Sequence, residues 1–473
     1  MTLPASADTA LPAQPVPHQA AAAEADGLPT PRRYIGMTAI LAAIVLVVLD
    51  NAIANLALPT IAASLQVTPG ASVWVVTAYQ VAIVMFLLPA GAAGESLGYR
   101  RMFIAGVTLF TAASVLCALS PSLPILVAAR FLQGIGSAGV MALAVAMLRF
   151  VYPKRLLGAA IGWNALAVAL SAAAGPSIGA AILSVAGWPW LFAVNLPVGA
   201  VVLIAACWLP ADRASGRRLD FASIGLNASA FGGFFFAADR LVSAPRLGIA
   251  LIVMAIAALV ALVRREWPRA TPMIPLDLLR ERSFRLSVIA SVCCFTGQMG
   301  GFVALPFYLQ HELGQSAFMA GLYLTAWPLT VAFAAPISGR LSDRMPTAWV
   351  CAAGALFLTA SLALAAFLPV HGNLLPLVPI LMLGGLGFGL FQTPNNRNML
   401  MSAPRERSGA AGGMQGMARL SGQTAGSVLM LVLFGLLPVD TAPHTGLAIA
   451  AGLALASGIV SLLRTPATRS RDL

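Results

Sequence analysis

Uninterrupted apolar stretches long enough to cross a lipid bilayer recur along this chain, about fourteen of them. They run at about 35–58, 73–92, 102–121, 123–147, 157–183, 189–209, 221–238, 247–263, 286–308, 317–337, 348–368, 374–393, 410–437 and 445–463. In lipid, backbone groups have no water to bond, so each must be satisfied within a helix or around a closed barrel. The runs are continuous rather than alternating, which excludes a β-barrel. The chain therefore reads as an all-α membrane protein. The seventh and eighth runs are the shortest. Composition agrees: 59% of the 473 residues are hydrophobic and 9% are charged, against about 25% charged in soluble domains.

The charges set the orientation. A net charge of +12 invites a nucleic-acid reading, but the arginines form short clusters between apolar runs, with no basic face. One alternate set of loops holds Arg100 and Arg101, then Arg149, Lys154 and Arg155, then Arg213, Arg217 and Arg218. The same set continues with the arginines from Arg264 to Arg285, Arg340 and Arg344, and those from Arg397 to Arg407. The opposite set is nearly free of bases, apart from Arg240 and Arg246. By the positive-inside rule both termini lie in the cytoplasm, and the span count is even. Residues 1–31, rich in Ala and Pro, read as a disordered cytoplasmic tail; residues 466–473 form a second tail. The first run is too long for the core of a secretion signal and has no evident cleavage site, so it is a span.

Five cysteines (Cys117, Cys207, Cys293, Cys294, Cys351) lie in apolar runs without metal or disulfide spacing, and His18, His311, His371 and His444 are scattered. No metal site and no catalytic cluster is expected. There is also no phosphate-binding loop of the P-loop kind.

A weak repeat runs through the chain. Gly91 to Arg101 (GAAGESLGYRR) follows the second run, and Gly339 to Arg344 (GRLSDR) follows the tenth. Gly134-Ile135-Gly136 is echoed by Gly385-Leu386-Gly387. Two parallel halves are implied. They fall at residues 32–211 and 271–465, with two inserted spans over 212–270.

Four segments carry chemistry. Asp50, in Leu49-Asp50-Asn51-Ala52-Ile53-Ala54-Asn55-Leu56-Ala57-Leu58-Pro59, is the one carboxylate well inside any span other than the seventh and eighth. An ionisable group there is costly and by default functional. Gly91, Glu95, Gly98, Arg100 and Arg101 form a tight Gly–acid–Gly–base turn. Arg130 sits within an apolar run ahead of Gln133-Gly134 and needs a partner or a wet cavity. Gly175, Pro176 and Gly179 put small residues and a proline inside the fifth span, which permits close packing and a bend.

Together these segments, with Trp188 to Pro197 leading into the sixth span, resemble the major facilitator superfamily, in particular its 14-span drug:proton antiporter branch. The resemblance covers about residues 35–463 and is strongest in the first six spans. It implies the major facilitator fold, with about fourteen helices in two six-helix halves plus two inserted spans. It implies that Asp50 and Arg130 take part in proton coupling. It also implies that the turn from Gly91 to Arg101 acts as a gating latch, and that Gly175, Pro176 and Gly179 mark an exporter hinge. The turn departs from the family pattern: Glu95 stands for the usual Asp, and Ser96 and Tyr99 for usual bases. Arg419-Leu420-Ser421-Gly422 with Gly426 resembles a later motif of the same branch. Asn51, Asn55, Tyr79, Gln133, Gln298 and Arg419 are candidates for a cavity lining.

The expectation is a proton-driven secondary transporter in the inner membrane that exports amphipathic drugs or toxic compounds by alternating access. It needs no cofactor beyond the proton gradient, and its partners are a small molecule, protons and lipid rather than nucleic acid. Export of a metabolite or an anion is the alternative, because the spans other than the seventh and eighth hold one acid, Asp50, but two arginines, Arg130 and Arg419. A membrane-embedded enzyme would need clustered acids or histidines, which the short loops lack.

Overall fold

The computed structural model describes residues 27–153, 156–210, 219–267, 276–368, 374–403 and 407–464. Lys154, Arg155, Arg213, Arg217, Arg218, His371 and most of the two tails lie outside the described residues. The described residues fold into fifteen α-helices and form no strand. The first half holds α1 (Arg32–Ser64), α2 (Pro69–Leu97), α3 (Tyr99–Ala118), α4 (Leu123–Val151), α5 (Leu157–Val185), the single turn α6 (Trp190–Ala193) and α7 (Asn195–Ala206). Next come α8 (Phe221–Ser243) and α9 (Pro245–Glu266). The second half holds α10 (Arg282–Phe307), α11 (Ala317–Arg344), α12 (Thr347–Phe367), α13 (Leu377–Met401), α14 (Ser408–Leu436) and α15 (Ala442–Leu462).

Twelve helices are long and apolar enough to cross a membrane, and Trp190–Ala206 and Phe221–Ala237 are two shorter apolar ones. This accounts for fourteen crossings, and the seventh run, one of the two shortest, appears as a short apolar segment. The eighth, Pro245–Glu266, is fully long enough. The sixth is interrupted at Val194, where α6 gives way to α7. With an even number of crossings, the first and last helices begin and end on one side, here called the terminal face; the other is the far face.

The repeat seen in the sequence is physical. Gly136 on α4 lies where an added Cβ would come within 2.7 Å of the Gly106 carbonyl oxygen on α3, and Gly387 on α13 stands within 2.6 Å of the Gly354 carbonyl oxygen on α12. Gly134 meets the Tyr79 carbonyl on α2, and Gly385 meets the Trp327 carbonyl on α11. Only a residue without a Cβ allows these helices to approach so closely. Each half thus uses one glycine pair to clamp its fourth helix against its second and third.

The halves meet near the far face. Ser177 on α5 and Thr325 on α11 share a hydrogen bond of 2.6 Å. Gln310, in a π-turn at Tyr308–Glu312 that ends α10, donates to the Leu56 carbonyl of α1 at 3.2 Å. At mid-depth Gln80 of α2 accepts from Ser427 of α14 at 2.9 Å and lies 3.7 Å from the Met299 sulfur. Towards the terminal face, Gly91, Gly339, Gly412 and Gly413 have no atom within 4 Å of where a Cβ would stand. The inserted pair packs through α8 against α2 and α14. There Asn227 donates to the Met85 carbonyl at 2.7 Å and Phe236 stacks on Trp74.

Candidate functional site

Asp50 stands about five turns into α1, 2% exposed. Arg130 of α4 is wholly buried beside it, with Nη1 2.5 Å from Asp50 Oδ2. The other carboxylate oxygen accepts from Asn195 Nδ2 at 2.6 Å and from Gln133 Nε2 at 3.0 Å. Asp50 is thus met only by donors, the arrangement that suits an ionised carboxylate. A buried charge is tolerable only when paired and hydrogen-bonded in this way.

Arg130 keeps further partners of its own. Its Nε donates to the Val75 carbonyl at 3.0 Å, and Nη1 also reaches Gln133 Oε1 at 2.6 Å. The guanidinium lies over the Tyr79 ring, 4.1 Å from the centroid, and Nη2 is buried without a hydrogen-bond partner. A cation over an aromatic face is attracted by the ring quadrupole, so Tyr79 stabilises the buried guanidinium. Tyr79 is fixed in turn: its hydroxyl donates to the Val47 carbonyl at 3.3 Å and accepts from Ser137 at 2.7 Å. Ser114 of α3 accepts from Gln133 at 2.8 Å and from Asn195 at 3.4 Å. Five helices of the first half therefore converge on one carboxylate.

The sequence pointed to Asp50 and Arg130 separately, and the structure puts them in contact. Tyr79 and Gln133 are not where the sequence placed them. Both are fully buried in this network rather than lining an open cavity, because α2 and α4 are drawn together by the Gly134 approach. Asn195 and Ser114 were missed. Asn195 was visible only inside the run from Trp188 to Pro197; that it opens α7 beside α1 is a tertiary fact. In an Asn195→Ala variant, Oδ1 of Asp50 keeps only Gln133, and we expect a stability loss of about 1–3 kcal/mol, measured as the shift in thermal unfolding of the purified protein.

The remaining candidates fall into two groups. Gly98 turns α2 into α3 with φ +105°, a conformation only glycine adopts freely. Arg100 donates to the Cys207 carbonyl beyond α7 at 2.7 Å, and Tyr99 packs on Phe150 of α4. These two residues are anchored within their own half. Glu95 and Arg101 are exposed, and Gly91 is half-buried. Gly175 abuts Ala52 and Gly179 abuts Ile53 and Leu56, so both press α5 onto α1. The Pro176 carbonyl oxygen lies 2.6 Å from the Cβ position of Gly321 on α11. The hinge candidates therefore sit where α5 meets both α1 and the opposite half.

Asn55 is buried and donates to the Asn51 carbonyl at 2.9 Å, while Asn51, Gln298 and Arg419 are half-buried. The side-chain oxygens of Asn51, Asn55 and Gln298 are buried without partners among the described residues. The spacing that takes Tyr79 to Trp327 and Gly106 to Gly354 takes Asp50 to Gln298. That which takes Gly134 to Gly385 takes Arg130 to Leu381. The second half has kept the clamp and holds no ion pair at these positions.

The profile of the Major Facilitator Superfamily matches residues 40–427 and 287–473. The chain belongs to this superfamily. An uncharacterized transporter of Escherichia coli, YebQ, is 44% identical over 95% of this chain and 99% of its own. The riboflavin transporter RibZ of Clostridioides difficile is 32% identical over 80% of this chain and 84% of its own. The multidrug resistance protein Stp of Mycobacterium tuberculosis is 31% identical over 84% and 75%. Among solved structures, a POT family transporter in complex with a thioalcohol conjugated peptide superposes with a TM-score of 0.71 at 15% identity. It covers 91% of this chain and 96% of that one. This major facilitator protein is a multi-pass membrane transporter and not an enzyme.

Proposed function

We propose that the protein is a proton-coupled exporter of small amphipathic compounds, working by alternating access in the inner membrane with both termini in the cytoplasm. The observation that carries this reading is the Asp50–Arg130 pair, buried at the centre of the first half. A proton on Asp50 would cancel the charge that holds Arg130. Arg130 would still have the Val75 carbonyl, Gln133 Oε1 and the Tyr79 ring. The pair can thus open without stranding the guanidinium, which is what a reversible proton site needs. Separation of the pair would alter the packing of α1 against α4 and α7, and through Ala52 and Gly175 that of α1 against α5. Contact between the halves near the far face, with open space at terminal-face glycines, fits a cleft facing the cytoplasm. The Stp relative, named for multidrug resistance, supports export of toxic compounds.

The test is proton flux in proteoliposomes loaded with a pH-sensitive dye. Adding a transported compound should discharge an imposed proton gradient, and the compound should move against its own gradient. A protein that carries compounds downhill at a rate indifferent to the proton gradient would overturn the coupling.

A further inference from the structure

The second half holds a feature that proton coupling leaves unused. Along α14, Gln415, Arg419 and Gln423 follow one another at intervals of four residues, and Ser427 continues the row to its bond with Gln80. Residues four apart on a helix lie on one face. Gln415, Arg419 and Gln423 are each half-buried, and none hydrogen-bonds or pairs with a described residue. Arg419 stands about three turns in from Ser408, too deep for the guanidinium to reach the terminal face easily.

Register says which way this row points. Gly416 packs towards Leu87 of α2, Leu420 joins the apolar cluster of the first half, and Gly422 packs on Val292 and Phe295 of α10. Arg419 lies between those two directions, so it faces the cleft between the halves rather than lipid. Its charge is not balanced there. Asp50 is the one described carboxylate in the central stretch of the spans, and Arg130 and two amides already occupy it. Glu95, Glu266, Glu312 and Asp343 stand at helix ends. An arginine cannot shed its charge, and in a membrane interior such a charge is costly unless a counter-charge or water meets it.

We propose that Arg419 is the recognition point for an oxyanion on the transported compound, a carboxylate, sulfonate or phosphate ester, with Gln415 and Gln423 as flanking donors. The guanidinium fork matches two oxygens of such a group at once. This deepens the transport reading and rests on it: the cargo is an amphipathic anion rather than a cation.

Binding, measured without any gradient, separates this inference from proton coupling. Fluorescein and rhodamine 123 share a xanthene ring system and differ in charge. Fluorescence anisotropy of each dye would be titrated with purified wild type, Arg419→Gln and Arg419→Lys in detergent, with thermal unfolding run alongside. Fluorescein should bind wild type more tightly than rhodamine 123. Arg419→Gln should weaken fluorescein by about tenfold or more, the loss of one charge-assisted bond, and leave rhodamine 123 no weaker. Arg419→Lys should recover part of the loss. Unchanged fluorescein affinity in Arg419→Gln, tighter binding of rhodamine 123 by wild type, or no binding of either dye would each overturn the proposal. If Arg419→Gln does not fold, the wild-type preference and the Arg419→Lys titration decide. A protein that binds fluorescein through Arg419 yet exchanges no protons would fail the coupling alone.

Discussion

Replacing Asp50 by Asn should abolish proton-driven accumulation of substrate in proteoliposomes while leaving downhill exchange of substrate measurable. Asn preserves the volume of the side chain and one acceptor oxygen, so the packing of α1 against α4 and α7 changes little. It cannot hold the exchangeable proton. The variant should also be less stable, by about 3 kcal/mol, because Arg130 stays buried and charged with its counter-charge gone. Part of that cost is offset by the acceptors Arg130 already has, the Val75 carbonyl and Gln133 Oε1. Thermal unfolding gives the stability term, and counterflow without a gradient gives the retained exchange. Undiminished proton-driven uptake would remove Asp50 from the coupling step.

The second large effect is expected at Gly321→Val. A Cβ at Gly321 would lie 2.5 Å from Ala180 Cβ and 2.6 Å from the Pro176 carbonyl oxygen. Backbone lies on one side and a helix core on the other, so neither can yield cheaply. Overpacking of this kind costs about 1–3 kcal/mol. The strain exists only while the halves touch near the far face. It therefore acts as a bias between conformations, and about 1.4 kcal/mol shifts their ratio tenfold. A reporter cysteine at Leu56, with the five native cysteines replaced, should react with a maleimide added from the far face about ten times faster in Gly321→Val. An equal labelling rate in a folded variant would show that the α5–α11 contact does not hold the far face shut.

Much of the fold was legible because lipid leaves a chain few choices: run length gives the spans. The repeat was legible because its glycines mark backbone approaches that no other residue permits. Asp50 and Arg130 stood out because charges are rare in apolar runs. What the sequence could not provide was convergence. Asn195 and Ser114 are ordinary polar residues until α7 and α3 are laid against α1. Tyr79 and Gln133 have the residue types of a cavity wall, and only packing shows that they serve Arg130. Nor does periodicity reveal that α6 and α7 break the sixth span just ahead of the amide that binds Asp50.

The position of the inserted pair α8–α9 makes the two sides of the molecule inequivalent towards the bilayer. One seam between the halves, where α2 meets α14, is covered by α8 through Asn227 and Phe236. The other, where α5 meets α11, carries no such cover among the described residues. The α2–α14 seam is thus held by a third helix, whereas the α5–α11 seam rests on its own contacts, the Ser177–Thr325 bond and the Gly321 approach.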